Sequence, residues 1–291
     1  MKKLLYLSVI IILFSNCHSK QIATDSTKTT IITGPAQELI KKFKPILSGV
    51  WVTNDYIDDL IKTRSPYNSS DKFGGMASLI IDADSIHGDS IVAGVSLNNH
   101  EGGQFVIYFK KGINPAALPL KIEYESGTHF YDLGYKVNKK DTNLIVFRYD
   151  QNKRLIDQIK YTKVLDKDLN DDAAYGIEFI TNKKLITGKY TITDSTGNVS
   201  NIEFTNEGKI TGFSDFSNYY VNTDFAAGPA NNIDQLSFDV STKHQKDFAF
   251  KIKEDTLNIY RTTSNADSTL LFFGKLAYKM VRKKRSKFNI Q

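Results

Sequence analysis

Cysteine, proline and tryptophan are all scarce in this chain of 291 residues, which contains one Cys, six Pro and one Trp. A single cysteine excludes an intramolecular disulfide, so burial of apolar side chains must stabilise the fold. Long apolar runs are also missing, apart from LLYLSVIIILF at residues 4–14. Because a spanning helix needs about 20 apolar residues, this segment is too short to cross a bilayer.

Charge of one sign is only slightly in excess, since the formal net charge is +6. No nucleic-acid-binding motif is present, so we expect no nucleic-acid partner. Basic residues cluster only in VRKKRSKFNIQ at the end of the chain. Such a cluster attracts anionic headgroups or glycans, but a solvated basic tail over residues 286–291 is the simpler interpretation.

Motifs that carry metal or nucleotide chemistry are missing as well. The five histidines are His18, His87, His100, His129 and His244. No two of them have metal-ligand spacing, and there is no second cysteine to complete a site. No G-x-S-x-G elbow, P-loop or dinucleotide fingerprint occurs. We therefore expect no metal, no cofactor and no acyl-transfer or nucleotide chemistry.

Two pairs of carboxylates keep a hydrolase open as an alternative. They are Asp58 with Asp59, and Glu123 with Glu125. Glycoside hydrolysis needs two carboxyl groups roughly 5–9 Å apart. Alternation places the two glutamates on one sheet face, where they either point into a lumen or are solvated.

Aromatic residues in the second half of the chain are the other candidates for ligand contact. Phe213 and Phe216 lie in FSDF, and Tyr219 is followed by Tyr220. They form either a carbohydrate-stacking or apolar pocket or, more simply, part of the core and its rim.

The N-terminus has the pattern of an export signal, because Lys2 and Lys3 precede the apolar segment and Ser15-Asn16-Cys17 follows it. Phe14 to Cys17 resembles the lipobox of bacterial lipoproteins, in the looser form found in Bacteroidota. This resemblance implies a signal peptide over residues 1–16, acylation of Cys17, and a lipidated tether over residues 17–33. It also implies that the lipid anchors the protein in the outer membrane, on the periplasmic side or at the cell surface.

An internal repeat divides the remaining chain. Gly49 and Trp51 in LSGVWV align with Gly188 and Tyr190 in ITGKYTI, and further matches follow in the same order. Repeats of this kind indicate duplicated structural modules. We predict domains over residues 34–166 and 167–285, with a short helix and loop inserted in the first at residues 54–75.

Alternating apolar and polar residues predict short antiparallel strands in both modules. A short helix followed by Gly-x-Trp and a strand meander resembles the lipocalin and wider calycin families. The resemblance implies a mainly β fold of two tandem antiparallel lipocalin-like β-barrels, each preceded by a short helix. It also implies a late basic residue over each ring, for which Arg148 and Arg261 are the candidates.

These patterns favour a lipoprotein without catalytic activity, although they leave enzymatic activity open. We expect it to bind a small apolar or glycan ligand in a barrel, or to contact an envelope protein as a structural component. The alternative is a glycan or lipid hydrolase whose carboxylates converge only in the folded chain.

Overall fold

The computed structural model describes residues 34–123, 127–138, 141–167, 172, 174–193, 197–225 and 229–283. The predictions that lie outside these ranges concern the leader 1–16, Cys17 with the tether 17–33, His18, Glu125 and the tail 286–291. Residues Ile32–Gln291 form one compact unit. Within the described ranges, no helix has both the length and the apolar character needed to cross a membrane.

Short helices precede both halves of the described chain. The α-helices are α1 (Pro35–Leu47), α2 (Asn54–Thr63), α3 (Pro66–Ser69) and α4 (Tyr175–Thr181). A π-helical turn, Asn182–Ile186, continues α4 to the start of the second half. Two 3₁₀ turns lie at Ser70–Phe73 and Ala83–Ser85. The predicted insertion is confirmed, because α2, α3 and the first 3₁₀ turn occupy residues 54–73.

The first half is a closed antiparallel barrel of eight strands in sequence order. The strands are β1 (Gly49–Thr53), β2 (Met76–Ile81), β3 (Ser90–Leu97), β4 (Glu101–Tyr108), β5 (Leu118–Ile122), β6 (Phe130–Asn138), β7 (Asp141–Tyr149) and β8 (Leu155–Leu165). Closure occurs at β1, where Val52 is paired with both Ser78 of β2 and Thr162 of β8. The predicted first antiparallel barrel is thereby confirmed.

Side chains fill most of the interior of this barrel. Alternate residues such as Leu79, Val95, Phe105 and Leu133 point inward and are completely buried. An eight-stranded barrel is just wide enough for side chains to fill it. Phe43 of α1 joins the same cluster, so the helix covers one end, which we call the closed end.

The second half is an eight-stranded antiparallel sheet with the order β11-β10-β9-β16-β15-β14-β13-β12. Its strands are β9 (Gly188–Thr193), β10 (Val199–Phe204), β11 (Ile210–Thr211), β12 (Tyr219–Val221), β13 (Gln235–Phe238), β14 (Lys246–Lys253), β15 (Thr256–Ser264) and β16 (Leu271–Arg282). Next to the outer strands β11 and β12, Lys209 and Asn218 form an isolated antiparallel bridge. The backbone N–H of Tyr219 also donates to the carbonyl of Gly208 at 2.8 Å.

One hydrophobic core joins the two halves. Tyr56 and Leu60 of α2 lie in the same buried cluster as Ile177 of α4 and the interior of the second sheet. The Tyr56 hydroxyl and Thr181 Oγ1 are 2.8 Å apart and buried. The inserted helix of the first half is therefore part of the core of the second.

Helix α4 also covers the outer face of β1, which explains why all five residues of that strand are buried. The contact is close at Gly176, where an added Cβ would lie 2.4 Å from Val50 Cγ1. Only glycine lets the helix approach the strand this closely.

Glu178 in α4 makes stability depend on pH. Burial raises the pKa of its carboxyl from 4.5 to about 7, and the charge of Asp172 adds to the effect. The folded state therefore holds a proton that the unfolded state releases, so this contribution is complete below pH 4.5 and is lost as pH rises through 7. From pH 5 to pH 8 we expect the free energy of unfolding to fall by roughly 2 kcal/mol from this group.

Urea unfolding of Glu178→Gln across that pH range measures the effect. The variant should lack the fall, whereas Glu207→Gln, which removes an exposed glutamate of the same half, should keep it. Equal pH profiles for the wild type and Glu178→Gln would contradict the assignment.

Candidate functional site

Each half carries the same hydrogen bond at its helical end. Trp51 Nε1 donates to the carbonyl of Leu47 at 2.9 Å, and the Tyr190 hydroxyl donates to the carbonyl of Ile186 at 2.7 Å. Both rings are buried, with 0% and 1% of their surface exposed. The aligned positions of the repeat therefore perform the same structural task.

Glycine is required at the start of both first strands, for partly different reasons. Gly49 has φ 132° and Gly188 has φ 148°, backbone angles that residues with a side chain rarely adopt. An added Cβ at Gly49 would also lie 2.5 Å from the carbonyl oxygen of Leu165. At Gly188 the nearest atom, Arg282 Nε, would be 3.6 Å away.

The cations over the two rings come from the last strand of each half. Lys163 Nζ lies 5.0 Å from the centroid of Trp51, and Arg282 Cζ lies 5.2 Å from that of Tyr190. Arg282 also donates through Nε to the Tyr190 hydroxyl at 2.9 Å and through Nη2 to the carbonyl of Leu185. Each ring thus sits between a helix end and a cation.

This placement corrects the prediction that Arg148 and Arg261 cover the rings. In β7 the residue level with Thr162, next to Lys163, is Asn143. Since strands rise about 3.3 Å per residue, Arg148 lies roughly 16 Å further along the barrel. Arg261 is similarly distant along β15 and is exposed.

Arg148 instead lies at the opposite, open end of the first barrel, beside a cavity of about 390 Å³. The apolar floor of this cavity, which we call the mouth cavity, consists of Met76, Leu97, Ile122, Tyr131 and Ile159. Arg148, His100 and Glu101 lie at its polar rim. Its residues come from seven strands, β2 to β8, and from two turns, which only the barrel brings together.

The guanidinium of Arg148 is only partly satisfied. Its Nη2 is 3.7 Å from Asp157 Oδ2, which is too long for a strong hydrogen bond. Its Nε is buried and has no hydrogen-bond partner among the described residues. Leaving a buried donor unpaired costs about 1–3 kcal/mol, so the described residues leave part of the hydrogen-bonding capacity of Arg148 unused.

The second half contributes to this rim through a polar contact. His100 Nδ1 lies 2.9 Å from Asp224 Oδ2, and the neighbouring Asn99 Nδ2 donates to Thr223 Oγ1 at 2.8 Å. The hydrogen bond and the charge of Asp224 raise the pKa of His100, so protonation of the ring is favoured. Docking of the second half therefore places a carboxylate against the histidine at the mouth.

Asp58, Asp59 and Glu123, the described members of the two carboxylate pairs, do not line the mouth cavity. Asp58 is exposed on α2, and Asp59 accepts a hydrogen bond from Ser69 Oγ at 3.0 Å. Glu123 is exposed at the end of β5, while Glu125 lies outside the described residues.

The aromatic residues and His87, which were candidates for ligand contact or metal binding, lie in the core or in a turn. Phe216 and Tyr219 are buried in the second core, and Phe213 packs edge-on against Phe216. His87 forms a turn bridge with Ser90. Among the described residues, no group of three or more His, Cys, Asp or Glu side chains is arranged to hold a metal ion.

No protein-family model, curated protein or solved structure matches this chain. Its site is therefore interpreted from its own geometry alone.

The two glycines give a matched pair of variants. Both Gly49→Ala and Gly188→Ala force alanine into an unfavourable φ, at a cost of about 1–3 kcal/mol. Gly49→Ala also creates a clash with backbone, so it should lower the free energy of unfolding by at least 1 kcal/mol more than Gly188→Ala does. Denaturant unfolding of both variants tests this order, and an equal or reversed loss would contradict it.

Proposed function

We propose that this protein is a lipid-anchored outer-membrane protein without catalytic activity, which binds a small amphipathic anion in the mouth cavity of its first barrel. The observation that carries this proposal is the combination of an apolar floor with the guanidinium of Arg148 beside it, whose contact to Asp157 is 3.7 Å long. An anionic head group would accept from the guanidinium, and a short apolar portion would cover the floor.

The size of the cavity limits the ligand. At about 390 Å³ it lies near the lower end of the range of ligand pockets, about 300–1,000 Å³. Below it, Phe105 and Leu133 fill the lumen and are completely buried. The ligand therefore occupies the end of the barrel and does not extend along its axis.

The charge at the rim favours an anion that binds Arg148 directly. Asp157 offsets part of the guanidinium charge from 3.7 Å, and Glu101 is exposed at the rim. His100 is paired with Asp224 at 2.9 Å, so these two residues together add no net positive charge to the rim. Charge-assisted hydrogen bonds to a carboxylate or phosphate are stronger than the long contact to Asp157.

The lipocalin-like part of the proposal concerns both halves. The first barrel, its N-terminal helix and the Trp51 bond to that helix support it. For the second half, we infer a second barrel that closes at the Lys209–Asn218 bridge. Its interior is filled by rings such as Phe216 and Phe238, stacked at 4.4 Å, so this half serves as a structural support for the rim.

Calorimetry with decanoate, and with decanol as its neutral analogue, tests the ligand site. Since Ile32–Gln291 is one compact unit, a chain that begins at residue 32 is used. Decanoate should bind at least tenfold more tightly than decanol, because a carboxylate forms charge-assisted hydrogen bonds with Arg148 and a neutral hydroxyl does not. Arg148→Met should remove this difference.

Arg261→Met is the matched control, because Arg261 is an exposed arginine of the second half. It should bind decanoate as the wild type does. Equal affinity of Arg148→Met and the wild type for decanoate, or no binding of decanoate at all, would refute the site.

The lipid anchor has a separate test in a bacterium that processes lipoproteins. Labelled palmitate should be incorporated into the full-length chain and not into Cys17→Ser, because Cys17 is the only thiol. The variant should also leave the membrane fraction, since a chain without acyl groups loses about 0.8 kcal/mol of membrane affinity per CH₂. Equal labelling of both chains would exclude Cys17 as the acylated residue.

A further inference from the structure

A second concave surface lies on the outer wall of the first barrel, where the loop after β4 stands beside β5 and β6. Its volume is about 720 Å³. We call it the lysine groove, because its lining includes Lys110, Lys111, Lys121 and Lys153 together with the rings of Tyr108 and Phe130. The groove borders the mouth cavity, since Ile122 and Tyr131 line both, but none of the four lysines lines that cavity.

The groove has a strong excess of positive charge. All four lysines are exposed, and none forms an ion pair with a carboxylate within the described part of the chain. The only described carboxylate that lines the groove is Asp132, which is 1% exposed. Four ammonium groups around one concavity raise the local concentration of anions.

The buried carboxylate of Asp132 holds the loop that forms one wall of the groove. Asp132 Oδ2 accepts from the backbone N–H of Asn114 at 2.7 Å, and the Tyr149 hydroxyl also donates to Asp132. An added Cβ at Gly112 would lie 2.4 Å from Asp132 Oδ1. The loop that carries Lys110 and Lys111 is therefore fixed in place before any ligand arrives, which lowers the entropic cost of binding.

Aromatic surface accompanies the charges. Phe130 is 43% exposed although its ring is large and apolar. Tyr108 also lines the groove, with Lys110 Nζ 5.1 Å from its ring centroid. Rings that alternate with ammonium groups match a chain of sugar rings, whose C–H faces pack on aromatics while their acidic groups meet the lysines.

We propose that the lysine groove binds an anionic oligosaccharide, a short chain of sugar rings that carry carboxylate or sulfate groups. The concave shape favours this ligand over a bilayer surface, because a flat surface would reach the rim but not the floor between the loop and β6. The lysines supply attraction, and Phe130 supplies contact with a sugar ring. The lysine variants test this site separately from the mouth cavity, because none of the four lysines lines that cavity.

The probe is an oligogalacturonate, with a neutral malto-oligosaccharide of equal length as control, and binding is measured by calorimetry at low and high salt. We expect binding of the acidic chain alone, with affinity that falls as salt rises. The triple variant Lys110→Gln, Lys111→Gln and Lys121→Gln should bind at least tenfold more weakly.

A second triple variant controls for net charge. Lys243→Gln, Lys275→Gln and Lys279→Gln remove the same charge from exposed sites in the second half, and affinity should change less than twofold. Phe130→Ser should weaken binding several-fold with the charge unchanged, whereas Leu155→Ser, at another exposed apolar residue, should not. Melting temperatures confirm that each variant is folded.

Three results would overturn the proposal. Equal losses in both triple variants would mean attraction by net charge without a site. Equal binding of the neutral chain would remove the role of the lysines. Binding of phosphatidylglycerol vesicles, lost in the groove variant, together with no binding of oligogalacturonate, would assign the groove to a membrane surface.

Discussion

The packing of α2 against α4 is the contact through which the two halves hold one another. Tyr56 and Leu60 belong to the core of a sheet that begins more than a hundred residues later, and Thr181 meets the hydroxyl of Tyr56. Without this contact α2 would expose its apolar face, and β1 would lose the helix that covers its outer side. The pair His100–Asp224 at the mouth also exists only because the halves are docked.

At the helical end of each half, the first strand is fixed to the preceding helix in the same way by different residues. In each, a buried ring donates to the last carbonyl of a helix while a cation covers its face. Tryptophan offers only an N–H, so Lys163 contacts the ring through its π face. Tyrosine also has an oxygen that accepts, and Arg282 uses it for a hydrogen bond. The choice of ring in each half thus goes together with the choice of cation.

Local patterns in the sequence predict a large part of this fold. Alternation gives the strands of the first barrel, and the interruption after Thr53 gives α2. The two cations could not be found in this way, because the repeat places Lys163 opposite Met280 and not opposite Arg282. The mouth cavity was missed for another reason: Met76 and Ile159 meet only after the barrel closes. No sequence spacing records that closure, nor that β11 and β12 would come together at a single bridge.

The insertion between β1 and β2 also sets the order in which the chain can fold. During synthesis α2 is complete long before α4 emerges, so the part of its apolar side that packs on α4 and the second core lacks those partners until the second half is made. A barrel that has already closed would still present this face to other chains, and exposed apolar surface of that kind promotes aggregation. A chaperone that covers α2 until residue 186 has been made would protect the first half while the second is being completed.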